Sequence, residues 1–416
     1  MKKIKAIIIC LLSLLLITVC IPICNAVDLY VDITSVIPND ALEYAKTRLN
    51  ALCSTAVNDQ ENFDIDVPRD SNFEIGTPYV IYSVENNGNQ DEIYYMPVIQ
   101  DDAVCMILNV MPCNDSYTVS LEKGMSEQLN SIGYKNDDTY IFYFKNDSLY
   151  AENENSVHLI DSSIPYFESS ENGQTNSMEF ERLSYSQKIT KIKNSYSKNN
   201  KPNLINYDSD VKNLGRGFSS NKGGIVTLNT KGCTVPQGNY GLCWAASVAT
   251  TVRYLNYSKY SSLTAKQVAN KMGIGYNDGA TDLEIKEALK KYGQTYKCKT
   301  GQLTFLELQN NIVKEYPLIM TCISGTDGHA VTCVGYTTYG GIKQVTFWNS
   351  GNKQMTTVEY QTGGTKFAYA GKVLYGKIPF ITHNPYVYMG WRLNYEKSMF
   401  MPCFCVGSGM YSMFLL

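Results

Sequence analysis

The stretch Val235–Leu255, "VPQGNYGLCWAASVATTVRYL", is the part of the sequence that decides the fold. Two glycines, Gly238 and Gly241, interrupt its first part, and an uninterrupted helical pattern begins at Cys243. Apolar residues then recur at spacings of three and four, which predicts an amphipathic helix with one buried face. A cysteine at the start of such a helix has three possible roles: half of a disulfide, a buried packing thiol, or a nucleophile.

The first 26 residues have the pattern of a secretory signal peptide. Lysines precede the apolar run Ala6–Val19, and "CNA", which ends at Ala26, places small residues at the cleavage positions. The run is shorter than a typical membrane span, so a retained anchor is the weaker alternative. We therefore expect a protein that is secreted, either released or associated with the cell surface, without stable membrane insertion.

Export makes disulfides possible, and the chain has 13 cysteines. The seven that follow residue 220 cannot all pair with one another, so that half keeps an unpaired thiol unless it bonds to the other half. No CxxC pair occurs, so the spacing does not indicate zinc, and we expect no metal and no cofactor. Disulfide pairing stays open, and Cys322 and Cys333 are predicted to be buried free thiols on strands.

The formal net charge of −3 hides an asymmetry between two halves. Residues 1–221 carry 17 Lys and Arg against 30 Asp and Glu, a net charge of −13, and residues 222–416 carry 19 against 9, a net charge of +10. The basic half has dispersed lysines and no nucleic-acid recognition motif, so we expect no nucleic-acid partner. The pattern predicts instead that the acidic half docks on the basic half.

The acidic half predicts a helix over Asp40–Leu52 with an Asp cap, followed by six strands, in a β-rich α+β domain over residues 27–167. Its only histidine, His158, lies in a strand pattern and is predicted to pack rather than to react. Residues 168–221 are polar and are predicted to form a linker. Basic residues in and beside it are candidate processing sites: Lys201, Lys212, Arg216 and Lys222.

The basic half predicts helices first and an antiparallel sheet afterwards, over residues 222–380. Threonines mark three helix starts, and two of them form capping boxes with a glutamate three residues later. These starts are Thr264, Thr281 with Glu284, and Thr304 with Glu307. After Pro317 four strands follow, which gives an α+β fold. The tail, residues 381–416, fits no pattern, and its role stays open.

A cysteine nucleophile must be a thiolate near neutral pH, and a helix N-terminus and a neighbouring imidazolium both lower its pKa. Cys243 has the first by its position, and the basic half offers His329 and His383 for the second. His329 follows a glycine at the start of a strand, where it can lean over a facing helix end. We predict that His329 is the base, with a satisfied surface histidine as the alternative.

Two more side chains complete the predicted site. Asn349 ends the next strand and would return to the end of the sheet that carries His329, where it would fix the histidine tautomer. Trp348 beside it would shield that hydrogen bond, although "WNSG" is also compatible with an ordinary Asx turn. Gln237, upstream of Cys243, would supply one oxyanion donor, and the cysteine backbone N–H would supply the other.

The motifs "QGNYGLCWAAS", "GHAVTCVGY" and "WNSG", in the order Gln, Cys, His, Asn, resemble those of the papain-like cysteine peptidases. The chain is most similar to the compact bacterial branch, which includes staphopain-like and bacteriocin-leader-processing peptidases. The resemblance implies a helical lobe and an antiparallel β lobe with substrate in the cleft between them. It also implies that Gln237 holds the oxyanion, Cys243 is the nucleophile, His329 is the general base and acid, and Asn349 orients it.

Secreted members of this family have a signal, an inhibitory propeptide and a mature enzyme, in the order found here. The resemblance thus implies a secreted cysteine endopeptidase zymogen that acts on protein or peptide substrates, with residues 27–167 as propeptide and intramolecular inhibitor. Two alternatives stay open. The Cys–His pair could serve a cell-wall peptide amidase or acyl transferase, or the chain could be a non-catalytic surface-binding protein with a papain-like fold.

Overall fold

The computed structural model describes residues 37–85, 91–133, 140–146, 148–161, 173–197, 224–299, 303–324, 327–361, 365–369 and 372–383. The predicted signal peptide, the four candidate processing sites and residues 384–416 of the predicted tail lie outside these residues. Among the described residues, no helix is long and apolar enough to cross a membrane.

The helices of the described residues fall into two groups, one in each half of the chain. The first half contains α1 (Asn39–Asn58), α2 (Gln60–Phe63), α3 (Ser126–Ser131), α4 (Gly173–Glu181) and α5 (Tyr185–Ser197). The second half contains α6 (Cys243–Leu255), α7 (Tyr257–Tyr260), α8 (Ala265–Met272), α9 (Asp282–Lys291) and α10 (Phe305–Val313).

The strands also come from both halves. Those of the first half are β1 (Glu74–Ile75), β2 (Ile81–Ser83), β3 (Tyr94–Gln100), β4 (Ala103–Cys113), β5 (Ser116–Glu122), β6 (Ile141–Lys145), β7 (Ser148–Glu152) and β8 (Val157–Asp161). Those of the second half are β9 (Ile225–Thr227), β10 (Tyr296–Lys299), β11 (Leu318–Ser324), β12 (Asp327–Tyr339), β13 (Ile342–Asn349), β14 (Gln354–Glu359), β15 (Thr365–Tyr369) and β16 (Lys372–His383).

One twelve-stranded antiparallel sheet runs through both halves. Its order is β1-β3-β4-β5-β14-β13-β12-β11-β16-β10, with β15 beside β16 and β9 beside β12. The halves meet where β5 pairs with β14, with Glu122 opposite Thr356 and Ser120 opposite Val358. A second sheet, β2-β6-β7-β8, belongs to the first half. The mixture of helices and antiparallel sheet confirms the predicted α+β class.

Two large apolar clusters lie on this framework. The first joins both halves, since Leu52 of α1 and Leu121 of β5 belong to the same buried cluster as Phe347 of β13 and Val358 of β14. The second is the core of the helical lobe, in which α6, α8 and α9 pack together and reach Ala330 of β12. The first half therefore shares a core with the second half instead of lying on its surface.

Ion pairs make a small contribution to the contact between the two halves among the described residues. Arg48 and Glu359 form one ion pair between the halves, at 3.3 Å, and Lys231 and Glu61 form another that is exposed. Exposed pairs stabilise proteins little, whereas burial of apolar area dominates such contacts. The contact between an acidic and a basic half is present as predicted, but the shared core and sheet hold it more than charge complementarity does.

The predicted elements of the first half are present with changed bounds. The predicted helix Asp40–Leu52 is longer, because α1 begins at Asn39 and continues to Asn58. The predicted Asp cap is wrong, because Pro38 occupies the N-cap position and no side chain caps the helix. Asp40 Oδ1 instead accepts hydrogen bonds from its neighbour's backbone and from the Tyr117 hydroxyl at 2.9 Å. Each of the six predicted strands is found, and β1 and β7 are additions.

The segment predicted as a polar linker contains α4 and α5. Phe180, Ile192 and Tyr196 are buried in the cluster that joins the halves, and the Tyr196 hydroxyl donates to the Ile81 carbonyl at 3.0 Å. Lys188 Nζ lies 2.7 Å from a Glu152 oxygen. The sequence analysis did not detect these helices, because the segment is polar overall and has few strongly apolar residues. Residues 173–197 are thus packed helices, and the domain boundaries and processing sites stay predictions.

The helix starts of the second half follow the predicted cap chemistry. Thr264, Thr281 and Thr304 each accept a hydrogen bond from the backbone three residues later, in capping boxes with Gln267, Glu284 and Glu307. The four predicted strands correspond to β11–β14. The pattern missed β9, β10, β15 and β16, although β15 contributes a residue to the site described next.

Candidate active site

The glycine-broken loop before α6 brings the chain to the cysteine in a compact turn. Gly238 has φ +70°, a conformation that favours glycine, and at Gly241 an added Cβ would lie 3.1 Å from the Asn277 carbonyl oxygen. Helix α6 then begins at Cys243, as predicted, and no side chain caps it. Its first N–H groups have no acceptor within the helix, which makes this end electropositive.

The Cys243 thiol lies between the start of α6 and the start of β12. Burial raises the pKa of this thiol above its ordinary value. Hydrogen bonds from the backbone N–H groups of Ala330, Trp244 and Cys243 itself oppose that rise, but burial is the larger effect. Because Ala330 follows His329 directly, the hydrogen bond to its N–H places the thiol beside the predicted base.

His329 is held by Asn349. The two lie at the ends of the β12–β13 hairpin, and His329 Nε2 is 2.8 Å from Asn349 Oδ1. The backbone N–H of Gly351 donates to the same oxygen at 3.1 Å, which identifies this amide atom as the acceptor. Since Oδ1 cannot donate, His329 Nε2 carries the proton and Nδ1 has a free lone pair. The Asx turn and the histidine contact, weighed as alternatives for "WNSG", are both present.

The imidazole is neutral at neutral pH in this arrangement. His329 is 6% exposed, and its burial lowers the pKa to about 4, although the hydrogen bond to Asn349 raises it. The Cys243 pKa is raised by the same cause. The pair therefore consists of a thiol and a neutral imidazole, instead of a thiolate and an imidazolium.

Gln237 joins the same cluster through the residue after Asn349. Its backbone N–H donates to the Ser350 carbonyl at 3.2 Å, and its Oε1 accepts from Ser350 Oγ at 3.3 Å. Its Nε2 donates to the Tyr240 carbonyl at 3.1 Å, which uses one of two amide hydrogens. The structure thus brings all four predicted residues together, and their catalytic roles stay predictions.

Tyr369, which the sequence analysis did not identify, covers the imidazole. Its ring centroid lies 4.5 Å from that of His329, with 19° between the planes. The indole N–H of Trp348 donates to the Val235 carbonyl at 3.2 Å and ties β13 to the glycine loop, and its shielding of the histidine–asparagine bond stays a prediction. No local motif marks Tyr369, which ends a short strand that the pattern did not predict.

Residues 231–374 match the model of the family described as Peptidase_C39 like family. Residues 231–374 form a papain-like cysteine peptidase domain. The matched residues include all four predicted site residues and lie within the predicted catalytic range 222–380. No curated protein matches the chain.

The other cysteines and histidines occupy different environments. All eight cysteines of the described residues are free thiols, and in the peptidase domain Cys322 and Cys333 are buried, as predicted. Cys322 pairs with His329 across β11 and β12. His158 in the first half bonds to Ser156 at 2.8 Å and meets the edge of the Tyr140 ring. This environment agrees with a packing role.

A cavity of about 160 Å³, partly open to solvent, lies beside Tyr369 between the peptidase domain and the first half. The turn after Asn349 and the strand β5 both line it, and Glu122 and Lys353 are among its polar residues. No group of three or more His, Cys, Asp or Glu side chains that could hold a metal occurs in the described part of the chain.

Proposed function

We propose that the protein is a secreted cysteine endopeptidase, made as a zymogen, which hydrolyses peptide bonds through Cys243, His329 and Asn349. The observation that carries the proposal is the hydrogen bond from His329 Nε2 to Asn349 Oδ1. This hydrogen bond leaves Nδ1 as the basic nitrogen of His329. The next residue, Ala330, donates its backbone N–H to the Cys243 thiol. A fixed tautomer with one basic nitrogen is what a Cys–His nucleophile requires.

In the acylation step His329 Nδ1 takes the thiol proton, and the Cys243 sulfur attacks the carbonyl carbon of the scissile bond. The oxyanion that forms accepts hydrogen bonds from the Cys243 backbone N–H and from the second Nε2 hydrogen of Gln237. The carbon–nitrogen bond then breaks, the imidazolium gives its proton to the leaving amine, and a thioester remains on Cys243.

Deacylation repeats these steps with water. His329 takes a proton from the water, whose oxygen adds to the thioester carbon. The carbon–sulfur bond then breaks to release the acid, and the imidazolium returns its proton to the Cys243 sulfur. Asn349 holds the imidazole in one orientation through both steps, since it accepts from Nε2 whether Nδ1 is protonated or not.

The zymogen proposal has separate support. The first half pairs with the peptidase domain along β5 and β14, and it lines the cavity beside Tyr369. An acidic half that covers an apolar face of the peptidase domain suits a segment that assists folding and restrains activity until it is processed. The lysine-rich start followed by Ala6–Val19 supports secretion.

Labelling with an epoxysuccinyl thiol probe tests the nucleophile. The native chain and its Cys243→Ala and Cys298→Ala variants are first cleaved in the predicted linker by limited trypsin digestion. The cleaved proteins are then treated at about pH 7, and the modified residue is identified by peptide mapping. Cys298 is a suitable control because it is another half-buried thiol of the same domain. We expect labelling and peptide hydrolysis in the Cys298→Ala variant and neither in the Cys243→Ala variant. Labelling independent of Cys243 would overturn the proposal.

N-terminal sequencing of the reactive form tests processing and secretion. We expect the secreted chain to begin after Ala26 and the reactive form to begin between residues 198 and 223. Full activity in a chain that still contains the first half in one piece with the peptidase domain would contradict the zymogen proposal. A comparison of a peptide library with purified cell wall separates an endopeptidase from a cell-wall amidase.

A further inference from the structure

We propose that Tyr369 is a positioning residue of the active site, whose ring holds the His329 imidazole in the orientation that presents Nδ1 to Cys243. The proposal rests on the proposed function for its catalytic consequence. The structural part concerns the state of His329 and is testable without any peptidase activity.

Two constraints are needed to fix an imidazole ring, and the structure supplies both. The hydrogen bond to Asn349 at 2.8 Å holds Nε2 but permits a range of ring tilts, because a hydrogen bond tolerates a spread of angles. The Tyr369 ring lies nearly parallel to the imidazole, with 4.5 Å between centroids, and its contact with that face limits this tilt. The remaining ring nitrogen, Nδ1, therefore has one direction.

Gly351 provides the space for the tyrosine. A Cβ added at Gly351 would lie 1.7 Å from Tyr369 Oη and 2.4 Å from its Cζ, so no other residue fits here without displacing the ring. The same glycine donates its N–H to Asn349 Oδ1 at 3.1 Å. Gly351 thus contributes to both constraints. Its N–H orients Asn349, and its lack of a side chain leaves room for the Tyr369 ring.

The strand that carries Tyr369 is fixed from both sides. Tyr369 pairs with Lys372 in the β15–β16 hairpin, and Phe367 packs against Phe347 with ring centroids 4.6 Å apart. Ala368, between them, belongs to an apolar cluster built mainly by the first half. Tyr369 is itself 5% exposed. A side chain held on a rigid strand in this way can hold another, whereas a loop residue could not.

The tyrosine also keeps water from the imidazole. Burial is the cause of the lowered His329 pKa, and Tyr369 covers one face of the ring. Removal of the aromatic ring lets water solvate the imidazolium, so the pKa of His329 should rise toward its ordinary value of about 6.5. A role in general stability alone would not move this pKa.

The test is a histidine NMR titration of the full chain in a Cys243→Ala background, which removes the coupled thiol. The variants are Tyr369→Leu, Tyr369→Phe and, as a matched control, Tyr292→Leu. Tyr292 is also buried, at 6% exposure, and also makes a ring contact, with Tyr260 at 5.4 Å, but it lies in the helical lobe. We expect the His329 pKa to rise by about 1 unit or more in Tyr369→Leu and to stay within about 0.3 units in the other two.

With Cys243 restored and the chain cleaved in the predicted linker, Tyr369→Leu should lose about 10- to 100-fold in kcat/KM, mainly through kcat, because a misaligned base costs rate more than binding. Tyr369→Phe, which keeps the stack, should stay within about threefold of the native chain. Equal losses in Tyr369→Leu and Tyr292→Leu, or an unchanged His329 pKa in Tyr369→Leu, would overturn the proposal. A Tyr369→Phe variant as impaired as Tyr369→Leu would also overturn it, because the hydroxyl would then be the important group.

Gly351→Ala is a second variant that keeps the tyrosine and tests the same idea if Tyr369→Leu does not fold. Its methyl group must push the Tyr369 ring off the imidazole, while its N–H still serves Asn349. The same rise in the His329 pKa is expected, and an unchanged pKa would count against the proposal. If the titrations are as expected but the native chain, once cleaved in the predicted linker, does not hydrolyse peptides, the proposed function alone is refuted.

Discussion

A pH shift from about 7.5 to about 4.5 tests the buried neutral state of His329. The folded pKa is about 4, against about 6.5 for an unperturbed histidine. The unfolded chain therefore binds the proton first, and the stability that this group contributes is complete above pH 6.5 and is lost as the pH falls toward 4. With these two values, linkage gives a loss of about 2.5 kcal/mol in the free energy of unfolding between pH 7.5 and pH 4.5.

The perturbation that isolates this contribution is His329→Gln, whose side-chain N–H can still donate to Asn349. A comparison is necessary because other groups titrate in the same range with the opposite sign. Burial raises the pKa of Asp59 to about 7, so that carboxyl stabilises the fold as the pH falls. The difference between the native chain and the variant removes the Asp59 contribution, which both share.

Urea unfolding followed by tryptophan fluorescence is the assay, because Trp244 and Trp348 lie beside Cys243 and Asn349 in the chain. Stability is determined at both pH values for both proteins, and the slopes against urea are compared to verify that the same surface unfolds. We expect the native chain to lose about 2.5 kcal/mol more than His329→Gln on acidification. Losses that agree within about 0.5 kcal/mol would refute the reasoning, since His329 would then titrate alike in the folded and unfolded chains.

Three further predictions concern other contacts. Asp59→Asn should remove about 2.6 kcal/mol of the stability that the native chain loses as the pH rises from 5 to 8, because the buried carboxyl favours its neutral form. An equal loss of stability in the variant and the native chain over this pH range would contradict this. Gly238→Ala should cost about 1 kcal/mol in urea unfolding and lower kcat/KM, because φ is +70° at this position, and unchanged values would show that the loop relaxes freely. Tyr44→Phe should cost about 1–2 kcal/mol, because its hydroxyl donates to Glu359 at 2.6 Å between the halves; an effect below about 0.3 kcal/mol would show that this bond is not stabilising.

The parts of the site that could be predicted from the sequence depend on short-range order. Cys243 begins a helix because the glycines before it cannot continue one, and this is a local property. His329 and Asn349 meet because β12 and β13 form one hairpin with Gly340 and Gly341 at its turn, both at positive φ. The strand lengths on the two sides of such a turn determine which residues lie at the same end.

Tyr369 and the shared sheet could not be predicted in this way. Tyr369 reaches His329 through β15, which joins the sheet only through β16. The contact of β5 with β14 joins residues more than two hundred positions apart, such as Thr356 and Glu122. Edge pairing leaves no local signature, because any strand with free N–H and C=O groups can accept another. The charge asymmetry indicated that the halves meet, but it could not indicate a common sheet.

The protonation states of Cys243 and His329 depend more on burial than on the two effects that the sequence indicated. A helix N-terminus and a nearby imidazolium were expected to lower the Cys243 pKa. In the structure the backbone N–H groups do lower it, yet burial outweighs them, and the same burial keeps His329 neutral. A thiolate and an imidazolium stabilise each other only where both charges can be solvated or paired, and each buried charge otherwise costs several kcal/mol. In this conformation His329 is therefore held by Asn349 beside a neutral thiol, and the proposed mechanism requires a charge separation that this buried pair does not have.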